Sequence, residues 1–203
     1  MTFKKKRDIL TLSMLIGAGL TLLTASFSAF ADFARKCETV QGEVLRLHVL
    51  ANSDSAEDQQ LKYLLRDFII ADTEKSFAEA LTLGEALKSA EVNLPEIEEN
   101  AKAFITAQGY NYDVNVSLET MYFTTRVYEN ITMPAGDYAA LRVLIGSGEG
   151  QNWWCVVFPP LCLPAVTGRQ EPYFTPEASE IIETGGKIEV KFKVYEWWKR
   201  IFN

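Results

Sequence analysis

Two adjacent tryptophans, Trp153 and Trp154, constrain the fold more than any other feature of this chain. They open the run Trp153–Phe158, which reads as a strand, and successive side chains of a strand point to opposite faces. Both indoles can therefore be buried only if both faces are covered or one meets a partner. The polar, glycine-punctuated segment Gly146-Ser147-Gly148-Glu149-Gly150-Gln151-Asn152 leads into the pair, and Cys155 and Cys162 bracket a Pro159-Pro160 bend, close enough to be tied.

The amino end shows where those cysteines work. Lys4-Lys5-Lys6-Arg7 precedes an uncharged apolar run from Ile9 to Ala31 that finishes in Ala29-Phe30-Ala31 before Asp32. Basic head, apolar middle and small-residue end describe an export signal, expected to be cleaved after Ala31. The run is long enough that an uncleaved membrane anchor is the alternative. A lipid-modified Cys37 is excluded because Arg35 and Lys36 stand where that signal requires small apolar residues. The expected organisation is residues 1–31 as signal peptide or anchor and residues 32–203 as one extracytoplasmic domain. Outside the cytoplasm, three cysteines imply one pair and one remainder; Cys155 with Cys162 is the expected pair, leaving Cys37.

The chain carries a formal net charge of −7, and losing its basic head makes the remainder more acidic still. Nucleic acid is excluded as a partner, since its phosphates need a basic footprint. Broad adhesion of the domain to anionic lipid is disfavoured for the same reason.

Along the mature chain, Glu43–Ala51 reads as a strand near a sheet's edge or mouth, with Leu45, Leu47 and Val49 on one face and Arg46 and His48 on the other. Asn52-Ser53-Asp54-Ser55 is a turn supplying a helix cap. The helix that follows, to about Lys75, carries the apolar stripe Leu61, Leu64, Leu65, Phe68 and Ile69, with Asp58, Lys62 and Arg66 on a polar face. Thr82 and Glu85 have capping-box spacing and Pro95 suits a first helical turn, which predicts two short helices, Leu83–Glu91 and Pro95–Ala107. Tyr112–Glu119, Met121–Tyr128, Tyr138–Ile145 and Trp153–Phe158 read as an antiparallel meander. A helix from Pro176 stopping at Gly185-Gly186 and a last strand, Lys187–Tyr195, complete the pattern. The expected fold is α+β, a mostly antiparallel sheet with helices segregated on one face.

Catalytic signatures are missing. His48 is the only histidine, and a secreted cysteine hydrolase would have to pair it with Cys155, a pairing the spacing does not require. No ligand set has metal spacing, the glycine-rich loop lacks the Lys-Ser/Thr of a phosphate loop, and neither Asp-Thr-Gly nor Asp-Ser-Gly occurs. No cofactor is implied. Recognition remains: Trp, Tyr and Arg are the residues that anchor interfaces. The candidates for partner binding are Arg46, His48, Asn52, Asp54, Arg126, Tyr128, Tyr138, Arg142, Asn152, Trp153 and Trp154; of these, the face carrying Arg46 and His48, the Asn52–Asp54 turn and the Asn152–Trp154 loop would converge if the first strand lies beside Trp153–Phe158. Glu196-Trp197-Trp198-Lys199-Arg200-Ile201-Phe202 offers a membrane contact, as do residues 9–31. A membrane-anchored envelope structural module is a further alternative.

Arg46-Leu47-His48-Val49-Leu50-Ala51-Asn52-Ser53-Asp54, then Phe123 to Tyr128, Pro134 to Val143, Gly148 through Cys155, and Phe158 to Cys162 together resemble the stage II sporulation protein R family. Thr124 and Glu129 depart from the pattern, standing where proline and glycine are expected. The resemblance implies a protein made in the forespore and exported into the space between forespore and mother cell. There it activates a membrane-embedded aspartic protease of the mother cell that processes the sigma-E precursor. On this reading the protein is not itself an enzyme.

Overall fold

The computed structural model describes residues 3–128, 131–159, 174–183 and 189–202. Helix α1 (Phe3–Gln41) runs unbroken through the expected cleavage point into the domain. Strand β1 (Leu45–Leu50), helices α2 (Ala56–Phe77) and α3 (Leu83–Ala107), and strands β2 (Val114–Phe123), β3 (Arg126–Tyr128), β4 (Ile131–Met133), β5 (Gly136–Ile145) and β6 (Asn152–Phe158) follow. Helices α4 (Pro176–Glu183) and α5 (Glu189–Phe202) close the chain.

The main sheet has the order β2-β5-β1-β6, with β1 parallel to β5 and the other two pairings antiparallel. β3 and β4 form a separate two-stranded hairpin. The expected fold is corrected here: the sheet is mixed rather than mostly antiparallel, helix outweighs strand, and the helices cover both faces. No meander forms, because β2 turns away at Phe123 and pairs with β5 instead of β3. β1 is an interior strand, not an edge. The two tryptophans meet their constraint through this double cover.

On one face, Leu45, Leu47 and Val49 pack with Leu61, Leu65 and Ile69 of α2 and with Ile97, Ala101 and Ile105 of α3. On the other, Phe33, Cys37 and Val40 of α1 pack with Met133, Tyr138, Val156, Ile181 of α4, and Phe192 and Tyr195 of α5. Cys37 is a free, fully buried thiol whose pKa burial pushes up to about 12. Phe33, Cys37 and Val40 of α1 are thus core, while the preceding apolar stretch from Ile9 to Phe27 lies exposed.

The caps read from sequence are present: Ser55 Oγ accepts from Asp58 N, and Thr82 with Glu85 forms the reciprocal capping box. The two short helices over 83–107 are one, α3, with Pro95 inside it. Its buried positions Ala86, Ala90, Ile97, Ala101 and Ile105 continue as one stripe across the proline, and that shared burial holds the helix together despite the lost N–H donor. The expected strand Lys187–Tyr195 is, from Glu189 onward, the start of α5; Gly185-Gly186 lies outside the described residues.

Candidate partner-binding site

The antiparallel β1–β6 pair brings the two halves of the sequence signature together. Three lateral rows cross β2, β5, β1 and β6 on the α1 side of the sheet: Glu119, Ala140, Arg46 and Val156; then Ser117, Arg142, His48 and Trp154; then Asn115, Leu144, Leu50 and Asn152. Ala140, Arg46 and Val156 of the first row are buried beneath α1 and the β3–β4 hairpin, whereas Glu119 at its end is exposed. The third is open, with Leu50 and Leu144 half-buried and Asn115 and Asn152 exposed. The middle row sits at the lip of this shelf.

Arg46 is fully buried. Its guanidinium carbon lies 4.4 Å from the Phe123 ring centroid and 5.1 Å from that of Tyr138, its Nε donates to the Cys155 carbonyl at 3.0 Å, and its Nη2 donates to Tyr128 Oη at 2.7 Å. Burial lowers its pKa, yet an arginine this far above neutrality stays charged. It has no ion pair among the described residues; aromatic faces and a carbonyl stabilise the cation instead. Tyr138 is equally buried, with its hydroxyl donating to the Pro134 carbonyl at 2.7 Å. As contact anchors, Arg46 and Tyr138 are therefore corrected: both lie in the core and support the shelf from below.

His48 stacks on Trp154 with ring centroids 3.8 Å apart, and its Nε2, protonated in the neutral tautomer, donates to Asn152 Oδ1 at 2.7 Å. Burial lowers the imidazole pKa, with Arg142 acting in the same direction and Asn152 and Glu119 opposing. Trp154 also meets Phe123 edge-on at 4.9 Å, and its carbonyl accepts from Tyr128 Oη at 3.2 Å. Arg142 reaches Glu119 at 3.4 Å. Trp153 points the other way, with the Arg66 guanidinium 4.5 Å from its centroid and the Tyr63 ring edge-on at 5.3 Å. Arg126 is exposed on β3, away from the shelf's open end.

Asn52 and Asp54 lock loops rather than sit free. Asn52 Oδ1 accepts from Ser147 N at 3.0 Å, Asp54 Oδ1 accepts from Gln151 N at 2.8 Å, and Gly150 N donates to the Ala51 carbonyl at 2.9 Å. The glycines permit this approach: Gly146 has φ 56°, and a Cβ on Gly150 would collide with the Ser53 carbonyl oxygen. Beneath the loop, Asp58 accepts from Ser53 Oγ at 2.6 Å and Asn52 Nδ2 at 2.9 Å, and Lys62 Nζ donates to the Gln151 carbonyl at 3.0 Å. The polar face expected for Asp58 and Lys62 is thus buried. Burial alone would raise the Asp58 carboxyl, but the hydrogen bonds from Ser53, Asn52, Tyr112 and Ser55 outweigh it and lower its pKa.

Nothing in the sequence pointed to Glu119, Leu50 and Leu144 as shelf residues, because only the lateral register brings them beside Arg142 and His48. Asp58 and Lys62 do carry a signal, their four-residue spacing, which marks a polar face without showing what that face meets.

The geometry does not assemble a cysteine–histidine pair. Cys155 lies opposite Leu47, on the α2–α3 side, whereas His48 faces α1. Cys155 is disulfide-bonded; Cys162, its expected partner, lies outside the described residues. Among the described residues no cluster of His, Cys, Asp or Glu could hold a metal ion.

The sequence signature of stage II sporulation protein R matches residues 41–168. Stage II sporulation protein R of Bacillus subtilis strain 168 is 39% identical over 123 residues, covering 61% of this chain and 55% of the relative. The chain therefore spans about half the length of the curated relative it matches. No solved structure matches it. The matched span contains β1, the 146–151 loop and β6, the elements that build the shelf, and the chain belongs to the stage II sporulation protein R family.

Proposed function

We propose that this chain is the exported forespore signal that activates a membrane-embedded aspartic protease of the mother cell, and so triggers processing of the sigma-E precursor. The observation that carries this reading is the family match over residues 41–168. Residues 1–31 serve export or anchoring, and residues 32–203 form the extracytoplasmic signalling domain. The protein acts by being bound, not by turnover.

The shelf is where binding takes place. Arg142, Glu119, Asn152 and the exposed edge of Trp154 offer charge, amide and aromatic surface around the half-buried Leu50 and Leu144, the mixture that makes a small anchor patch. Activation requires differential affinity for the protease's active arrangement. Moving a receptor from 1% to 99% active takes about 5.5 kcal/mol. Three anchors of about 2 kcal/mol each supply that.

The test is a reconstitution in which the protein, the protease and its precursor substrate are combined and processing is followed. Arg142→Glu and Asn152→Arg should each abolish processing while circular dichroism still reports a folded domain. A photocrosslinker at Asn152 should label the protease. Full processing by both variants overturns the shelf as the contact; failure of the wild-type protein to stimulate processing overturns the function.

A further inference from the structure

Helix α5 has two apolar sides. Phe192 and Tyr195 face inward, against Phe33 and the core, whereas Val194, Trp197 and Ile201 form a second stripe that is 46%, 62% and 52% exposed. At 100° per residue, Lys191 flanks that outward stripe on one side and Lys193 and Arg200 on the other. In a chain of net charge −7, this helix carries a local basic excess.

Its position along α1 says what covers it. The exposed apolar stretch of α1, Ile9 to Phe27, rises about 28 Å at 1.5 Å per residue, against about 30 Å for the hydrocarbon core of a bilayer. α1 is long and apolar enough to cross a membrane, with mean hydropathy 1.8. Four basic residues, Lys4 to Arg7, precede the stretch, the arrangement of a cytoplasmic flank. At the other end, one turn past Phe27, Phe30 meets Trp198 of α5 edge-on at 6.1 Å, and Lys199 lies 3.8 Å from Glu38. With Ile9 to Phe27 in a bilayer, the Phe30–Trp198 contact would hold that end of α5 near the level where hydrocarbon gives way to headgroups. Tryptophan and basic residues are enriched at that depth.

We propose that α5 is a membrane-interface helix. Val194, Trp197 and Ile201 sink among the acyl chains of the leaflet facing the exported domain, and Lys191, Lys193 and Arg200 reach anionic lipid headgroups. With residues 9–27 of α1 in the bilayer, the domain is held at two points and cannot swivel, and its shelf is presented in one orientation. The inference rests on the membrane-spanning reading of α1 and not on the identity of the protein partner.

Full-length protein is reconstituted into vesicles of phosphatidylethanolamine and phosphatidylglycerol, with and without bromine on the phospholipid acyl chains, and tryptophan emission is recorded for the wild type and for Trp197→Phe. Alkaline extraction reports separately whether α1 is inserted. The expected result is a chain that resists extraction, with bromine quenching of which Trp197→Phe loses a large part. Replacing Lys191, Lys193 and Arg200 by Gln should weaken that quenching in phosphatidylglycerol vesicles, with little change in all-phosphatidylcholine ones. An inserted chain whose bromine quenching is the same with and without Trp197 overturns the role of α5. So does a Trp197 shielded from both bromine and aqueous iodide, which is covered by protein. A chain stripped by alkali overturns the membrane-spanning premise itself.

Discussion

His48 and Trp154 stack face to face across the β1–β6 pair, ring planes 2° from parallel. The stack joins two segments of the family signature that lie about a hundred residues apart, Arg46–Asp54 and Gly148–Cys155. It also makes the lip of the shelf sensitive to protons, because a charged imidazole must be paid for in desolvation there.

The folded-state pKa of His48 lies below its usual value, chiefly through burial. The unfolded chain binds that proton more readily. The stabilisation is therefore fully present above about pH 6.5 and is lost as pH falls through the folded value. Melting curves should shift down from neutral pH towards pH 5, and His48→Gln should flatten that part of the profile. Asp58 acts in a separate window: its lowered pKa stabilises the fold above about pH 4, and that contribution disappears on further acidification.

Arg46→Ala should cost about 3 kcal/mol, from the cavity among Phe123, Tyr128 and Tyr138 and from the lost hydrogen bonds that Arg46 donates to the Cys155 carbonyl and the Tyr128 hydroxyl. Arg46→Met, which fills much of the space and removes a desolvated charge, should cost less. Urea denaturation ranks the two; a methionine variant as unstable as the alanine one would show that the charge itself holds the roof on.

Gly150→Ala should detach the 146–151 loop from the Ala51–Asp54 turn, since the new Cβ meets the Ser53 carbonyl. A loss of about 1–3 kcal/mol is expected from the broken hydrogen bonds. Amide exchange at Ser147, Gly150 and Gln151 reads it directly, and unchanged protection there contradicts the interlock.

Much of the local structure is written in short-range pattern. Ser55, Thr82 and Glu85 announce their helices, and the alternation of β1 and β6 is plain. What is not written locally is which strands adjoin. β1 looks like an edge strand because Arg46 and His48 are polar, yet the groups that accommodate them, Phe123, Tyr128, Tyr138 and Trp154, come from distant segments. Pro95 reads as a start because its backbone cannot donate, although the apolar stripe runs through it. Lys191-Phe192-Lys193-Val194-Tyr195 satisfies a period of two over five residues, too short a window to reveal that Phe192 and Tyr195 also share a helical face. The shelf was legible as a set of residue types, and its layout depended on register.

Glu98 caps the outer edge of the sheet: Val116 N, at the start of edge strand β2, donates to its carboxylate at 2.8 Å. Glu98→Ala should leave that amide open to strand pairing. Light scattering on heating should show earlier aggregation than wild type; identical onset temperatures would mean the carboxylate has no guarding role.

Cys37 stands in the middle of the α1–α5 contact, and its consequence concerns redox hygiene. A thiol whose pKa lies near 12 holds almost no thiolate at neutral pH, and thiolate is the species that attacks disulfides. An odd cysteine in an oxidising compartment ordinarily invites scrambling and covalent dimers. Sealed between helices, this one is chemically silent, leaving the bond at Cys155 undisturbed for as long as the domain stays folded.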